Sequence, residues 1–169
     1  IRYRTSERLE EYREDPSDPD SVFDEGLRYW YFSSTTGTPT PVTDPVTNPA
    51  QYRGTDVDAA VLNHSWTRSD PVVINGNSWE NQNPAQVIWY GWIRTPMHGT
   101  YTISVSHDDG IKLWLNDVLV INQWVEHKEI EHSYTLTVNS DTLPIKLQYF
   151  ANGKTVEAVR LYWTPAGFR

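Results

Sequence analysis

The sequence contains no cysteine, and this absence removes two common ways of stabilising a small domain. Without thiols there is neither a disulfide framework nor a thiolate zinc site. The chain has 169 residues, which fits one domain and is long enough to bury an apolar core without cross-links. The lack of cysteine does not fix the compartment, because cytosolic proteins and many bacterial surface proteins both avoid disulfides.

Positive charge is also scarce, since 14 Lys and Arg stand against 22 Asp and Glu and give a formal net charge of −8. This balance argues against nucleic acid and anionic membrane surfaces as partners, because both are bound by clustered cationic side chains. No apolar run approaches the roughly 20 residues of a membrane span, so membrane insertion is not expected, and no signal peptide is recognisable. The charge favours a metal cation or a neutral ligand.

The first 22 residues form a charged lead-in that contains the sequence DPSDPD at 15–20. Thr5 or Ser6 is a suitable N-cap for one short helix through Tyr12, and a plain linker is the alternative. The globular part is expected over residues 23–163, followed by a C-terminal linker over 164–169. The opening residues resemble the interior of a longer chain, so we expect this domain to be one module of a larger protein.

Aromatic residues are abundant, with eight Trp and ten Tyr, which is typical of core and cross-strand packing in an all-β domain. Strand-like segments recur at short intervals in the second half, with turn residues between them. The clearest of these segments are AQVIWYGWI, TYTISVS, IKLWLNDVLVI, SYTLTV, LPIKLQYF and EAVRLYW. The pattern predicts an antiparallel β-sandwich or barrel with long loops at one end.

Two adjacent aspartates, Asp108 and Asp109, follow the segment TYTISVS and precede Gly110. Asp-Gly is a common turn, so a solvated turn is the simplest interpretation of these residues alone. The alternative is a hard-cation site, because calcium takes about 6–8 oxygen ligands from carboxylates, amides and backbone carbonyls. Neighbouring side chains of an extended strand point to opposite faces, so both carboxylates reach one ion only across an unusual backbone, such as a cis peptide bond.

Two other short patterns have competing interpretations. Asn152 and Gly153 form a dipeptide that favours a hairpin turn, although the Asn side chain is also a calcium ligand type. His127 and His132 lie five residues apart, which places them on opposite faces of a strand. We therefore interpret the histidines as a solvated strand edge and not as a zinc pair.

Four segments, in order, resemble the PA-fourteen (PA14) domain, a family named after the N-terminal piece of anthrax protective antigen. They are GLRYWYF at 26–32, RGTD at 53–56, the block from VIWYGW to INQW at 87–124, and LPIKLQYFANGKTVEAVRLYW at 143–163. The resemblance covers about residues 23–163. It implies an antiparallel β-sandwich with a barrel-like twist.

The resemblance also implies a calcium site. In the family's lectin members, which occur in adhesins, a cis-linked Asp-Asp pair in one loop and an Asn plus two backbone carbonyls in a second loop hold Ca²⁺. These positions correspond here to Asp108, Asp109 and Asn152, with the backbone carbonyls of Lys154 and Val156. The same three side chains would then bind carbohydrate through the ion, which chelates neighbouring sugar hydroxyls.

The second loop is expected to set which sugar binds, with Lys154, Thr155 and Val156 forming the pocket wall. Trp124 and Trp79 are weaker candidates for sugar contact, and packing is the alternative role of each. The expected partners are neutral glycans, such as hexoses or cell-surface polysaccharide, and the neighbouring domains of a larger adhesin. The family's lectin members from yeast contain cysteines, and this chain has none. This difference favours an extracellular bacterial surface protein.

Two other functions stay open at this point. One is an accessory insert of a glycoside hydrolase, and the other is a structural or protein-binding spacer. An independent enzyme is not expected. Glycoside hydrolysis needs two acids about 5–9.5 Å apart across the scissile bond, and adjacent aspartates cannot straddle one.

Overall fold

The computed structural model describes residues 9–10, 26–59, 62–67, 72–74, 77–79, 84–153 and 156–165. Within these residues every regular element is a β-strand, and no helix has the length and apolarity to cross a membrane. The strands, numbered along the chain, are β1 (Leu9–Glu10), β2 (Arg28–Ser33), β3 (Tyr52–Val57), β4 (Asn63–Thr67), β5 (Val72–Ile74), β6 (Asn77–Trp79), β7 (Ala85–Arg94), β8 (Gly99–Asp108), β9 (Ile111–Leu115), β10 (Val118–Gln123), β11 (Ile130–Val138), β12 (Thr142–Ala151) and β13 (Val156–Pro165).

Antiparallel pairing assembles these strands into two main sheets. The larger sheet has the order β10-β9-β12-β7-β2-β3, with β1 beside β7, and the smaller has the order β11-β8-β13-β4. Strands β5 and β6 pair only with each other among the described residues. The predicted all-β antiparallel sandwich is thus confirmed.

The core lies between the facing sides of the two sheets. Strand β12 shows why, because its apolar side chains at alternate positions are all buried while the residues between them point outward. Each fully buried large apolar side chain stabilises the fold by roughly 1.5–3 kcal/mol relative to exposure. The largest buried side chains of this core are Trp89, Trp163, Tyr29, Tyr31, Tyr101, Tyr149, Leu27 and Leu62.

The lead-in differs from the prediction where it is described. Leu9 and Glu10 do not form a helical turn but the short strand β1, which pairs with Ile93 and Trp92 of β7. The tertiary pairing with an open strand edge overrides the local helix-capping signal. The rest of the predicted helix lies outside the described residues. At the other end, β13 continues through Pro165, two residues past the predicted boundary, because it pairs with β8 as far as Tyr101.

Candidate metal and glycan site

The two aspartates lie where β8 ends, at one end of the sandwich. Asp108 is the last residue of β8 and pairs with Ala158 of β13, and Asp109 follows it. The peptide bond between the two aspartates is cis. Carboxylate oxygens of Asp108, Asp109 and Glu157 all lie within 4.8 Å of one another. The structure therefore places two adjacent carboxylates on one side of the chain, together with a third that is distant in sequence.

Asp109 is buried, with 2% of its surface exposed, and backbone groups fix its carboxylate. The Asn152 amide donates to Oδ2 over 2.9 Å, and the His127 amide donates to Oδ1 over 3.3 Å. The Asp109 amide in turn donates to the Phe150 carbonyl over 3.3 Å. A carboxylate offers about four acceptor positions, so two N–H donors orient the group and leave lone pairs for a cation.

Asp108 is half-buried, and its surroundings disfavour a negative charge. Burial, and then the neighbouring Asp109 charge, raise the pKa of Asp108 from 3.8 to about 7. Its backbone carbonyl accepts a 2.6 Å hydrogen bond from the Tyr149 hydroxyl. A cation between the carboxylates would reverse the electrostatic cause of this shift.

Glu157 was missed by the sequence reasoning. It is the second residue of β13, adjacent to Ala158, and it is completely buried. Burial is the main cause that raises the pKa of the Tyr149 hydroxyl, and the negative charge of Glu157 raises it further. The hydroxyl therefore keeps its proton and remains a hydrogen-bond donor. Buried carboxylates in proteins are paired or coordinate metals. The available signal was an acidic residue inside the apolar strand segment that directly follows the second loop.

Two of the three carboxylates, those of Asp108 and Asp109, line an open cavity of about 270 Å³. Asn152, which is 4% exposed, lines this cavity together with Val156, which is 53% exposed. The structure thus brings Asp108, Asp109, Asn152 and Val156 together, as the sequence predicted for one site. Lys154 and Thr155 lie outside the described residues.

Trp124, one of the two tryptophans predicted as weaker sugar contacts, is not among the described residues that line this cavity. The indole Nε1 of Trp124 donates to the Pro39 carbonyl over 2.8 Å, and its ring packs on Phe150 at 4.7 Å between centroids. Trp124 therefore has a packing role, which was the alternative to sugar contact. Trp79 ends strand β6, and its side chain lies outside the described part of the structure.

A loop over residues 124–129, here called the third loop, forms a wall that the sequence reasoning did not assign. Glu126, His127 and Lys128 of this loop line the cavity. Glu129 anchors the loop by accepting hydrogen bonds from Ser106, over 2.8 Å, and from Arg160. The loop therefore places one cation and one additional acid at the mouth of the cavity.

The interpretation of His127 and His132 as a solvated strand edge fits the position of His132 in the edge strand β11 but is wrong for His127. His127 lies in the third loop, before β11 begins, so strand alternation does not apply to it. Both rings pack with His107, at 4.7 and 5.0 Å between centroids. Burial lowers the pKa of His107 to about 4, and its Nδ1 donates to the Asp109 carbonyl over 2.7 Å. A neutral His107 thus supports the backbone of the aspartate pair.

Gly110 follows the aspartate pair at a position that excludes any side chain. A Cβ there would lie 2.3 Å from the Phe150 ring and 2.9 Å from the Gln123 carbonyl oxygen. Real Cβ atoms do not approach other atoms so closely, and Phe150 is completely buried and unable to move aside. The glycine therefore lets the turn after Asp109 pack directly on the end of β12.

The raised pKa of Asp108 predicts a pH dependence of stability in the absence of metal. Folded Asp108 keeps its proton to about pH 7, whereas the unfolded side chain loses it near pH 3.8, so the folded state binds more protons in between. The contribution of Asp108 to the free energy of unfolding therefore falls as pH rises through this window.

Urea denaturation in EDTA from pH 4.5 to 7.5, for the wild type and Asp108→Asn, measures this dependence. The informative quantity is the difference in the free energy of unfolding between the two proteins. The lowered pKa of His107 makes that free energy rise with pH in both proteins, which is the opposite of the effect of Asp108. We expect the stability of the wild type relative to the variant to fall with rising pH. A flat difference would show that Asp108 ionises normally in the folded protein.

Comparisons with known proteins agree on the fold and on one family. The model of the family described as PA14 domain matches residues 24–167. The anti-sigma-I factor RsgI3 of Acetivibrio thermocellus is 28% identical over 108 residues, which span 59% of this chain and 16% of that protein. Protective antigen of Bacillus anthracis is 31% identical over 88 residues, or 50% of this chain and 11% of that protein.

A solved structure, the PA14 sugar-binding domain from an RTX adhesin, superposes with a TM-score of 0.63 at 17% identity. The match covers 86% of this chain and 92% of that domain. This likeness concerns the fold. The chain spans less than a fifth of the two curated relatives, so their whole-protein activities belong to much longer polypeptides.

Proposed function

This chain belongs to the PA14 domain family, and from that premise we propose that it is a calcium-dependent carbohydrate-binding module. The observation that carries the proposal is the convergence of three carboxylates within 4.8 Å, two of which, Asp108 and Asp109, line an open cavity. The role is binding and not catalysis, because Asp108 and Asp109 are too close together to act on opposite sides of a glycosidic bond.

The chemistry of the donors supports a hard cation. The candidate ligands are oxygens from Asp108, Asp109, Glu157 and Asn152, and calcium takes oxygen ligands at about 2.3–2.6 Å. Backbone carbonyls of the second loop, over residues 154–156, would complete the set. The carboxylates neutralise the ion, and positions facing the cavity would hold water that two neighbouring sugar hydroxyls replace.

The surrounding charge supports a neutral sugar at this site. Asp108, Asp109 and Glu126 all line the cavity, while Lys128 is the one cation among its described lining residues. An anionic sugar would meet repulsion from the acids that the calcium does not neutralise. Neutral hexose units of a surface polysaccharide present paired hydroxyls without that cost.

We place the module outside the cell, as part of a larger bacterial surface adhesin. A site that holds only two hydroxyls is weak, with a dissociation constant near millimolar, or about 4 kcal/mol. Firm attachment would then require several copies acting together. An accessory insert of a glycoside hydrolase, or a spacer, would not bind sugar on its own in a metal-dependent way.

A glycan array probed with and without chelator tests the function. We expect the isolated chain to bind neutral hexose glycans in millimolar calcium and to lose them in EDTA. Asp109→Asn is the matched variant, because it keeps the shape of the side chain and removes one charge. Sugar binding that persists in EDTA, or in this variant, would reject the calcium-dependent mechanism, and no binding in calcium would favour the insert or the spacer.

Exchange of Lys154, Thr155 and Val156 for the loop of another lectin should change the sugar preference and leave calcium affinity nearly constant. The reason is that side chains contact the sugar, whereas the proposed metal ligands in this loop are backbone carbonyls. Calorimetric titration of calcium, and then of a small hexose panel, measures both effects. If calcium affinity collapsed while the sugar ranking stayed the same, the loop would only clamp the metal, and selectivity would have to come from the third loop.

A further inference from the structure

The backbone carbonyl oxygens of the two aspartates are bonded by side chains from the protein interior. The Asp108 carbonyl accepts a hydrogen bond from the Tyr149 hydroxyl over 2.6 Å, and the Asp109 carbonyl accepts one from Nδ1 of His107 over 2.7 Å. Tyr149 and His107 are both completely buried. The carboxylates of the same two aspartates line the cavity instead. The two donors therefore hold the backbone of the aspartate pair from the interior, while the carboxylates face the proposed ion.

A second histidine fixes the orientation of the His107 ring. Nε2 of His107 lies 2.8 Å from Nδ1 of His132. A carbonyl oxygen can only accept, so Nδ1 of His107 carries the proton and Nε2 of this neutral ring is an acceptor. Nδ1 of His132 is then the donor, because two N–H groups cannot bond to each other. The hydrogen bonds thus run in one direction, from His132 to His107 and on to the Asp109 carbonyl.

Strand pairing keeps both histidines in place. Strand β11 pairs with β8 in a register that puts His132 on the same face of the smaller sheet as His107. Asp109 is also held through its carboxylate, by the amide of Asn152 after β12 and by the amide of His127 in the third loop. Asp109 is thus anchored to both sheets, and its freedom to shift toward an ion is small.

We propose that His107, held by His132, is a positioning residue that gives the site a preference for calcium over magnesium. This inference rests on the calcium-binding function proposed above. Magnesium needs oxygen ligands at about 2.0–2.1 Å in octahedral geometry, whereas calcium accepts them at about 2.3–2.6 Å, so a site that holds magnesium must contract. An Asp109 whose carbonyl and carboxylate are both anchored resists that contraction. His107 is not among the described residues that line the cavity, so it acts on the ion through Asp109.

Calorimetric titration of calcium, alone and in competition with magnesium, tests the role of His107. Removal of a hydrogen-bond partner of a metal ligand typically lowers metal affinity about 10–100-fold, so we expect His107→Leu to weaken calcium binding about tenfold. Magnesium binding should weaken less, because a loosened Asp109 can approach the smaller ion. His107→Asn should recover most of the calcium affinity and of the preference, since its side-chain amide offers a donor near the position of Nδ1.

The variants His132→Leu and His132→Asn repeat the comparison one hydrogen bond further from Asp109, at a partly exposed position in the edge strand β11. The matched control is His98→Leu, because His98 bonds to Asp141 just before β8 begins, at the opposite end of that strand from the aspartates. This control should change neither affinity. Circular dichroism verifies the fold of each variant, and if His107→Leu does not fold, the His132 pair decides by the same criteria.

The possible failures of this inference and of the proposed function are distinguishable. An unchanged preference for calcium in the leucine variants, or a failure of the asparagine variants to restore it, would overturn the positioning role and leave the calcium site standing. A wild-type protein that binds no calcium would reject the proposed function itself, and this inference with it, before any variant is compared.

Discussion

Calcium is expected to raise the melting temperature of this domain by about 5–10 °C over its value in EDTA. Asp108, Asp109 and Glu157 bring their oxygens within 4.8 Å of one another, and without a cation their negative charges oppose the folded state. An ion that binds only the folded state stabilises it by about 2.7 kcal/mol at 100 times its dissociation constant. For a domain of this size, each kcal/mol corresponds to about 2–4 °C.

Differential scanning calorimetry in 5 mM calcium, 5 mM magnesium and EDTA measures the effect. Magnesium is the informative comparison, because it requires a smaller octahedral shell and keeps its water more firmly, so its shift should be much smaller. Asp109→Asn should lose most of the calcium shift while remaining folded. Identical melting temperatures in calcium and EDTA would refute the metal site altogether.

The part of the site that could be predicted from the sequence lies in short, local patterns. Asp108 and Asp109 are adjacent, and Asn152 follows a readily recognised strand, so a resemblance between segments was enough to propose them as one site. The structure brings them together because β8 and β12 end at the same end of the sandwich, where the Asn152 amide bonds to Asp109. Alternating apolar residues likewise predicted the strands of the second half. Every second side chain of a strand faces the core, so this pattern is visible within a few consecutive residues.

The missed parts depend on contacts between distant segments. Glu157 joins the aspartates only because β13 pairs with β8 in a register that sets Ala158 opposite Asp108. The third loop reaches the cavity because His127 donates its amide to Asp109, 18 residues earlier. Neither the register nor that loop path is encoded in a local pattern. The strand β1 was missed for the same reason, since its partners in β7 are 82 and 84 residues away.

Removal of one carboxylate should weaken calcium and sugar binding together by at least tenfold, which is the second large effect we expect. The variants are Asp108→Asn, Asp109→Asn and Glu157→Gln, each nearly equal in shape to the original residue, with Asn152→Ala as the neutral member of the set. Calcium affinity at oxygen sites depends on the number of charged ligands, so loss of one charge lowers it directly. Sugar affinity follows, because the hydroxyls are held by the ion.

Glu157→Gln is the sharpest of these variants because sequence resemblance did not assign this residue a role. If Glu157 holds calcium, its variant should match the aspartate variants in lost calcium affinity and should be less stable than the wild type only when calcium is present. If it has only a packing role, calcium affinity should be unchanged.

Asp141→Asn provides the matched control for charge, because Asp141 lies in the turn before β12 with 82% of its side chain exposed. It removes one negative charge far from the cavity and should leave both affinities unchanged. Calorimetric titration of calcium, and then of a hexose in saturating calcium, measures each variant, and circular dichroism verifies the fold. A variant that kept sugar affinity after losing calcium affinity would separate the two events and would contradict the chelation of sugar hydroxyls by a bound ion.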